Sequence, residues 1–412
     1  MKKTISLLLA ALAVTGSLTA PALAAEPETD LPAEAGSEET RPAPDPEGTV
    51  SWANLDSRIR EGSLNSLILS ENISGIQGID YEMMSEDLRD QLNEIANLQW
   101  MMNMVGADTS SLDQAYDSLR EVFDDLKEGT LQADNADVVW QLEDTANQVV
   151  SGGESLYLTI LELEAQAADG QRGLDTLDRN LEQLRLREQL GQVSRQTVAE
   201  LEQTRAETAS QLSTLDVTIT TLKEQLQTML GEEPTGELVL GDLPAPEETG
   251  WEEPDYDADL EAAKAARWTL RSAQKTLEDA QETWEDAQDE YRGKQEQYLL
   301  QQAEHTWNAA QLTYQSAVES FETSFKGLYD ALADGEQILE RKQSALSWQQ
   351  TLLETAEKKY ELGLISRSAL LDVQDDVAAA QSAVDSAWRD LFSARNSYTW
   401  AVECGLLSTQ TV

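Results

Sequence analysis

The sequence predicts an all-α fold of long antiparallel coiled-coil hairpins in two tandem repeats, and three observations carry that prediction. The stretch Arg187-Glu-Gln-Leu-Gly-Gln-Val-Ser-Arg-Gln-Thr-Val198 returns as Lys359-Tyr-Glu-Leu-Gly-Leu-Ile-Ser-Arg-Ser-Ala-Leu370, both reading Leu-Gly-x-Val/Ile-Ser-Arg-x-x-Val/Leu. The offset, 363 less 191 or 172, holds far beyond the glycines, so the match marks an internal duplication. Downstream, Leu370, Val373, Val377, Ala380, Val384, Ala387, Leu391, Ala394, Tyr398 and Ala401 alternate by three and four, which is a heptad seam.

Moved back by 172, that seam falls on Val198, Leu201, Arg205, Thr208, Leu212, Leu215, Ile219, Leu222, Leu226 and Met229. Upstream, Leu156, Ile160, Ala167, Leu174 and Leu181 map onto Leu328, Leu332, Leu339, Leu346 and Leu353. Gly191 and Gly363 fit the left-handed residue just past a helix end, and Ser194 and Ser366 fit the N-cap of the next helix. Each motif is therefore read as a tight helix–helix turn, at 191–194 and 363–366, between helices of about 35–45 residues, or roughly 50–65 Å.

Taken in order, residues 1–25 have the form of a cleaved secretory signal: Lys2 and Lys3, an apolar run from Ile5 to Leu18, and Ala22-Leu-Ala24. Residues 26–50 are rich in Glu, Pro, Asp and Ala and read as a disordered acidic tether. The first repeat is assigned to 51–230. It opens with helix from Trp52 and a weak stretch at Gly62 to Tyr81, then helices over Ser85 to Met104 and from Leu112 to Gly129. A further helix over Asp137 to Val150 is expected to close at Gly152-Gly153. Residues 231–256 form a Pro/Gly/acidic connector, with Leu238-Val-Leu240 a candidate extended piece. The second repeat covers 257–405, and 406–412 is a C-terminal tail.

Within the second repeat, Leu270, Ala273, Leu277, Ala280, Trp284, Ala287 and Tyr291 form one seam. Leu300, Ala303, Trp307, Ala310, Tyr314, Ala317 and Phe321 form another, out of phase with the first, so a turn or stutter is expected near Gly293. Alternating Ala with Trp or Tyr fits either interleaved knobs in an ordinary antiparallel pair or helices packed side by side in a wall, and the repeat structure favours the wall.

Composition removes several function classes. Asp and Glu outnumber Lys and Arg by 77 to 29, a net charge of −48, which opposes binding to nucleic acid and docking on anionic lipid. One cysteine, Cys404, and one histidine, His305, provide no intrachain disulfide, no Cys/His metal set and no Cys–His or Ser–His–Asp arrangement. No enzyme activity and no cofactor is expected. His305 reads as a surface or seam residue and Cys404 as a buried small apolar group.

The tip motif on long heptad helices behind a signal peptide resembles the TolC family of outer-membrane efflux proteins. The likeness is closest at Tyr360-Glu-Leu-Gly363-Leu-Ile-Ser366 and Leu370-Leu-Asp372-Val-Gln374, and Arg267-Trp-Thr-Leu-Arg-Ser-Ala-Gln274 looks like the opening of the family's second repeat. The resemblance implies an efflux or export component: a homotrimeric helical conduit in the cell envelope, with an adaptor and an inner-membrane pump as partners. Gly191, Ser194, Arg195, Gly363, Ser366 and Arg367 would form the adaptor-docking tips. Glu200 and Asp372, each nine residues after its glycine, would narrow the pore entrance, although the helix dipole equally accounts for acids in a first turn.

The family also carries transmembrane strands within each repeat, which should read as about ten alternating residues. Neither 100–155 nor Gln288 to Val318 shows that pattern, so the expected conduit is shortened, without a clear β-barrel. The alternative reading is an extracytoplasmic coiled-coil scaffold or adaptor-like interaction protein with no pore.

Overall fold

The computed structural model describes residues 43–246, 249–251, 253–293 and 295–407. The proposed signal peptide, the tether up to residue 42 and the last residues of the tail lie outside them. The chain forms two compact units, one containing Asn65–Ala146 and the other Pro44–Leu64 with the chain from Asn147 onward.

The first unit holds α2 (Leu64–Gln77, from its second residue), α3 (Tyr81–Met104), α4 (Ser110–Glu128) and the start of α5 (Thr130–Gln189). Asp80 caps α3 by accepting from the Met83 amide at 2.9 Å, and Gly106, with φ 69°, turns the chain into α4. Leu88, Leu92 and Leu126 are buried in this unit.

The second unit contains β1 (Thr49–Val50), α1 (Trp52–Gly62), the rest of α5, α6 (Arg195–Met229) and β2 (Val239–Leu240). It continues through α7 (Tyr256–Ala266), α8 (Trp268–Tyr291), α9 (Gln297–Glu361) and α10 (Arg367–Cys404). The all-α class and the hairpin architecture are as the periodicity predicts. Among the described residues the only sheet is the two-residue parallel pairing of Thr49 with Val239 and Val50 with Leu240.

Both heptad seams face inward: all ten positions from Val198 to Met229, and all ten from Leu370 to Ala401, are buried or half-buried. Arg205 occupies its seam position with its aliphatic stem and sends its head to Asp178, at 2.8 and 3.1 Å. Two core clusters result. One gathers Ile160, Ile219 and Leu226 with Leu55, Ile59 and Tyr157, and the other gathers Leu332, Leu391 and Tyr398 with Phe321 and Phe325. The first three residues of each set stand 172 positions apart.

The structure revises several expectations. Helices α5 and α9 have 60 and 65 residues, well beyond the 35–45 predicted, while α6 and α10 have 35 and 38. The reason in α5 is that Gly152-Gly153 does not end the helix. A Cβ on Gly153 would come within 2.3 Å of the Ile59 side chain, so this glycine is a packing position that admits α1. Its counterpart 172 positions on is Phe325, fully buried. Bulk comes from α1 in one repeat and from α9 in the other.

Residues 45–50, assigned by composition to the tether, are anchored. Asp45 accepts from the Ser51 amide at 3.0 Å, from Asn54 at 2.9 Å and from Arg58 at 3.2 Å. The fully buried Tyr157 donates its hydroxyl to the Gly241 carbonyl at 2.6 Å, fastening the sheet to α5. The connector is likewise seated, with Trp251 stacked on Trp388 at 5.5 Å.

Near Gly293, whose φ is 77°, the phase break is a turn between α8 and α9. The Ala/aromatic alternation serves an antiparallel pair within the chain, with Trp284 stacked on Trp307 at 4.7 Å. Cys404 is half-buried rather than buried, its sulfur 3.5 Å from the Asn147 amide nitrogen, and His305 is exposed.

Candidate hairpin-tip and channel-lining sites

The two turns have one geometry. Helix α5 ends at Gln189 and α9 at Glu361, while α6 begins at Arg195 and α10 at Arg367, both again 172 apart. After α5, the Gly191 amide donates to the Glu188 carbonyl and the Gln192 amide to the Arg187 carbonyl, both at 2.8 Å. After α9, the Gly363 amide donates to Tyr360 and the Leu364 amide to Lys359, also at 2.8 Å. These paired bonds are a Schellman closure, which needs a left-handed residue at the glycine; φ is 70° at Gly191 and 71° at Gly363. Ser194 and Ser366 then cap the next helices, accepting from the Thr197 and Ala369 amides at 3.2 Å.

The tips are exposed and apolar at the crown. Leu190, Leu362 and Leu364 are 64%, 74% and 70% exposed, with Leu186 and Tyr360 beside them. Arg195 and Arg367 are exposed, and among the described residues neither has an ion-pair partner. Each tip thus offers an apolar crown beside a cation.

Polar contacts that sequence reasoning missed bring the tips to one end of this unit. Helix α5 runs antiparallel to α10 along a ladder. Glu154 meets Asn396 and Trp400, Glu162 meets Arg389 and Ser386, Asp169 meets Ser382, and Arg179 meets Asp375. The paired numbers converge steadily towards the two turns, which places Gly191 and Gly363 at nearly one level. Each acid reads locally as a solvated helix face; only the helix partner reveals it as a rung.

Glu200 and Asp372 are both exposed near the start of α6 and α10. Glu200 accepts from Gln196 at 3.0 Å, a contact within its own helix, and no hydrogen bond or ion pair joins it to Asp372. Within one chain the two acids are separate. No group of acids, histidine or cysteine that could hold a metal ion occurs among the described residues.

Glu154 is the acid whose environment departs furthest from water in the ladder. Burial pushes its carboxyl pKa up, against hydrogen bonds from Asn396 at 2.7 Å and Trp400 at 2.5 Å that favour the ionised form. A folded-state pKa above the unfolded value means that the native state holds the extra proton, so stability falls as pH rises through the window just above the ordinary glutamate range. Glu154→Gln is therefore expected to flatten that part of the stability-against-pH curve while retaining an acceptor for Trp400. Thermal melts of both proteins across that window check it, and parallel curves would show that Glu154 is not the group responsible.

No family model matches the sequence, and no curated protein matches it. Solved structures do. The outer membrane protein VceC from Vibrio cholerae aligns at a TM-score of 0.50 and 12% identity, over 85% of this chain and 95% of its own. The outer-membrane channel OprN aligns at 0.51 and 13%, over 86% and 89%. The open state of the Neisseria gonorrhoeae MtrE outer membrane channel aligns at 0.50 and 15%, over 87% and 90%. At these identities the likeness is one of fold, and it agrees with the resemblance carried by the tip motifs: this chain has the fold of the TolC-type outer-membrane channels.

Proposed function

We propose that the protein is the helical conduit of an export assembly in the cell envelope, working as a homotrimer whose hairpin tips dock an adaptor that serves an inner-membrane pump. The observation that supports it most is a fold shared with outer-membrane channels over at least 85% of this chain. The exposed tip crowns and paired cations add a surface suited to an acidic or amphipathic partner. Glu200 and Asp372, repeated by a threefold axis, would place six carboxylates near one constriction and give a field that favours cations.

The experiment is light scattering on the purified chain with and without mild detergent. The conduit requires a closed oligomer, and a strict monomer under every condition, membrane extracts included, overturns it. A conducting oligomer should then lose cation selectivity and block by divalent cations in the double variant Glu200→Gln and Asp372→Asn, as read by single-channel recording. Unchanged selectivity would place these acids off the path.

A pore-free extracytoplasmic scaffold is the second reading, and one observation favours it. Where the resemblance implies transmembrane strands in the second repeat, the chain forms the α8–α9 helical hairpin. Absence of conductance and of drug efflux in an oligomeric protein would select the scaffold.

A further inference from the structure

We propose that the tip of the α3–α4 hairpin inserts into the interfacial layer of a lipid bilayer. From Ile95 to Ala107 the chain carries no charged residue. Its apolar side chains point outward: Leu98 is 45% exposed, Trp100 63%, Met101 53%, Met104 69% and Val105 78%. Near the base of the hairpin the seam holds the buried Leu88 and Leu92, but seven residues after Leu92 the seam position is Gln99, whose amide donates to Asp113 of α4 at 2.8 Å. An exposed polar bond thus links the two helices near the tip, beside the half-buried Ile95 and Leu112, while Trp100, Met101, Met104 and Val105 stay exposed, an apolar face suited to apolar surroundings.

The size of the patch favours lipid over a protein. A stable protein interface takes about 20–30 residues a side, whereas side chains enter lipid independently of one another, and Trp prefers the interfacial layer. Depth is bounded as well. Ile95 to Met104 is ten residues, about 15 Å of helix, or half of a hydrocarbon core of about 30 Å. Glu94 and Asp108 border the stretch, and no described helix is long and apolar enough to cross a membrane. The tip therefore dips and does not span.

Charge selects the lipid. No Lys or Arg occurs between Arg89 and Arg120, and the chain carries −48 overall, so electrically neutral headgroups are favoured and anionic ones repel.

The test uses the whole chain with Cys404→Ser and Met104→Cys, labelled at residue 104 with a polarity-sensitive dye. Phosphatidylcholine vesicles should shift its emission to the blue, vesicles with added phosphatidylglycerol should shift it less at low salt, and a label at His305→Cys should stay unchanged. Flotation with phosphatidylcholine vesicles should fall severalfold in the triple variant Trp100→Ser, Met101→Ser and Met104→Ser, with helicity by circular dichroism retained. No shift at residue 104, or an equal one at residue 305, overturns the proposal. So does a shift that grows with protein concentration without vesicles, which would assign the patch to a second copy of the chain.

Discussion

Phe325→Ala should lower the stability of the second compact unit by about 3–5 kcal/mol, the largest single effect expected in this protein. The ring is fully buried and lies among Tyr256, Phe321 and Tyr398, at centroid separations of 5.9, 6.3 and 5.3 Å. Removing it leaves a cavity where α7, α9 and α10 meet, and long helices held by neighbours cannot collapse to fill it. Near-UV circular dichroism during urea unfolding would report the loss. Leu352→Ala, on the same helix but 38% exposed, is the control and should change the midpoint little. Equal effects at the two sites would mean that the α7/α9/α10 core is not what holds the unit together. Because the chain has two compact units, the transition should be followed with the near-ultraviolet aromatic signal, which is weighted towards the second unit although Trp100 and Trp140 lie in the first.

The second large effect is functional and rests on the proposed docking of the tips. Arg195→Glu with Arg367→Glu should weaken adaptor binding by about tenfold to a hundredfold, since reversing two cations at an interface turns attraction into repulsion. The fold should not notice. Both side chains are exposed, and the helix starts are capped by Ser194 and Ser366, which remain. Crosslinking to the adaptor, read beside helical content, separates the outcomes. Unchanged crosslinking would remove the arginines from the docking surface, and lost helicity would make them structural.

The sequence by itself determined the helical class, the two seams and the two turns, because each depends on chemistry within a few neighbouring residues. A glycine at a left-handed position, a serine accepting from the amide three residues on, and apolar spacing of three and four are all local, and each recurs 172 positions later. Helix length was not determined. Glycines at 152 and 153 are punctuation in any sequence window, and only the approach of Ile59 makes Gly153 a helix-interior packing site. Nor could the ladder be read, since Glu162 and Asp169 are solvated acids until α10 brings Arg389 and Ser382 across from more than two hundred residues away.

The anchoring of 45–50 has the same origin: acidic, proline-rich chain lacks the burial to order itself, and Tyr157, through the Val50 carbonyl, Arg58 and the strand at 239–240 supply partners from outside the segment. The charge-free tip of α3 was visible as composition, but the exposure of its apolar side chains was not. A seam position occupied by Gln99 becomes meaningful only once Asp113 faces it and the neighbouring tryptophan and methionines are seen to face away. Tertiary structure decided these points because the sign of a side chain's contribution, solvated or buried, paired or alone, is set by the element packed against it rather than by its neighbours in the chain.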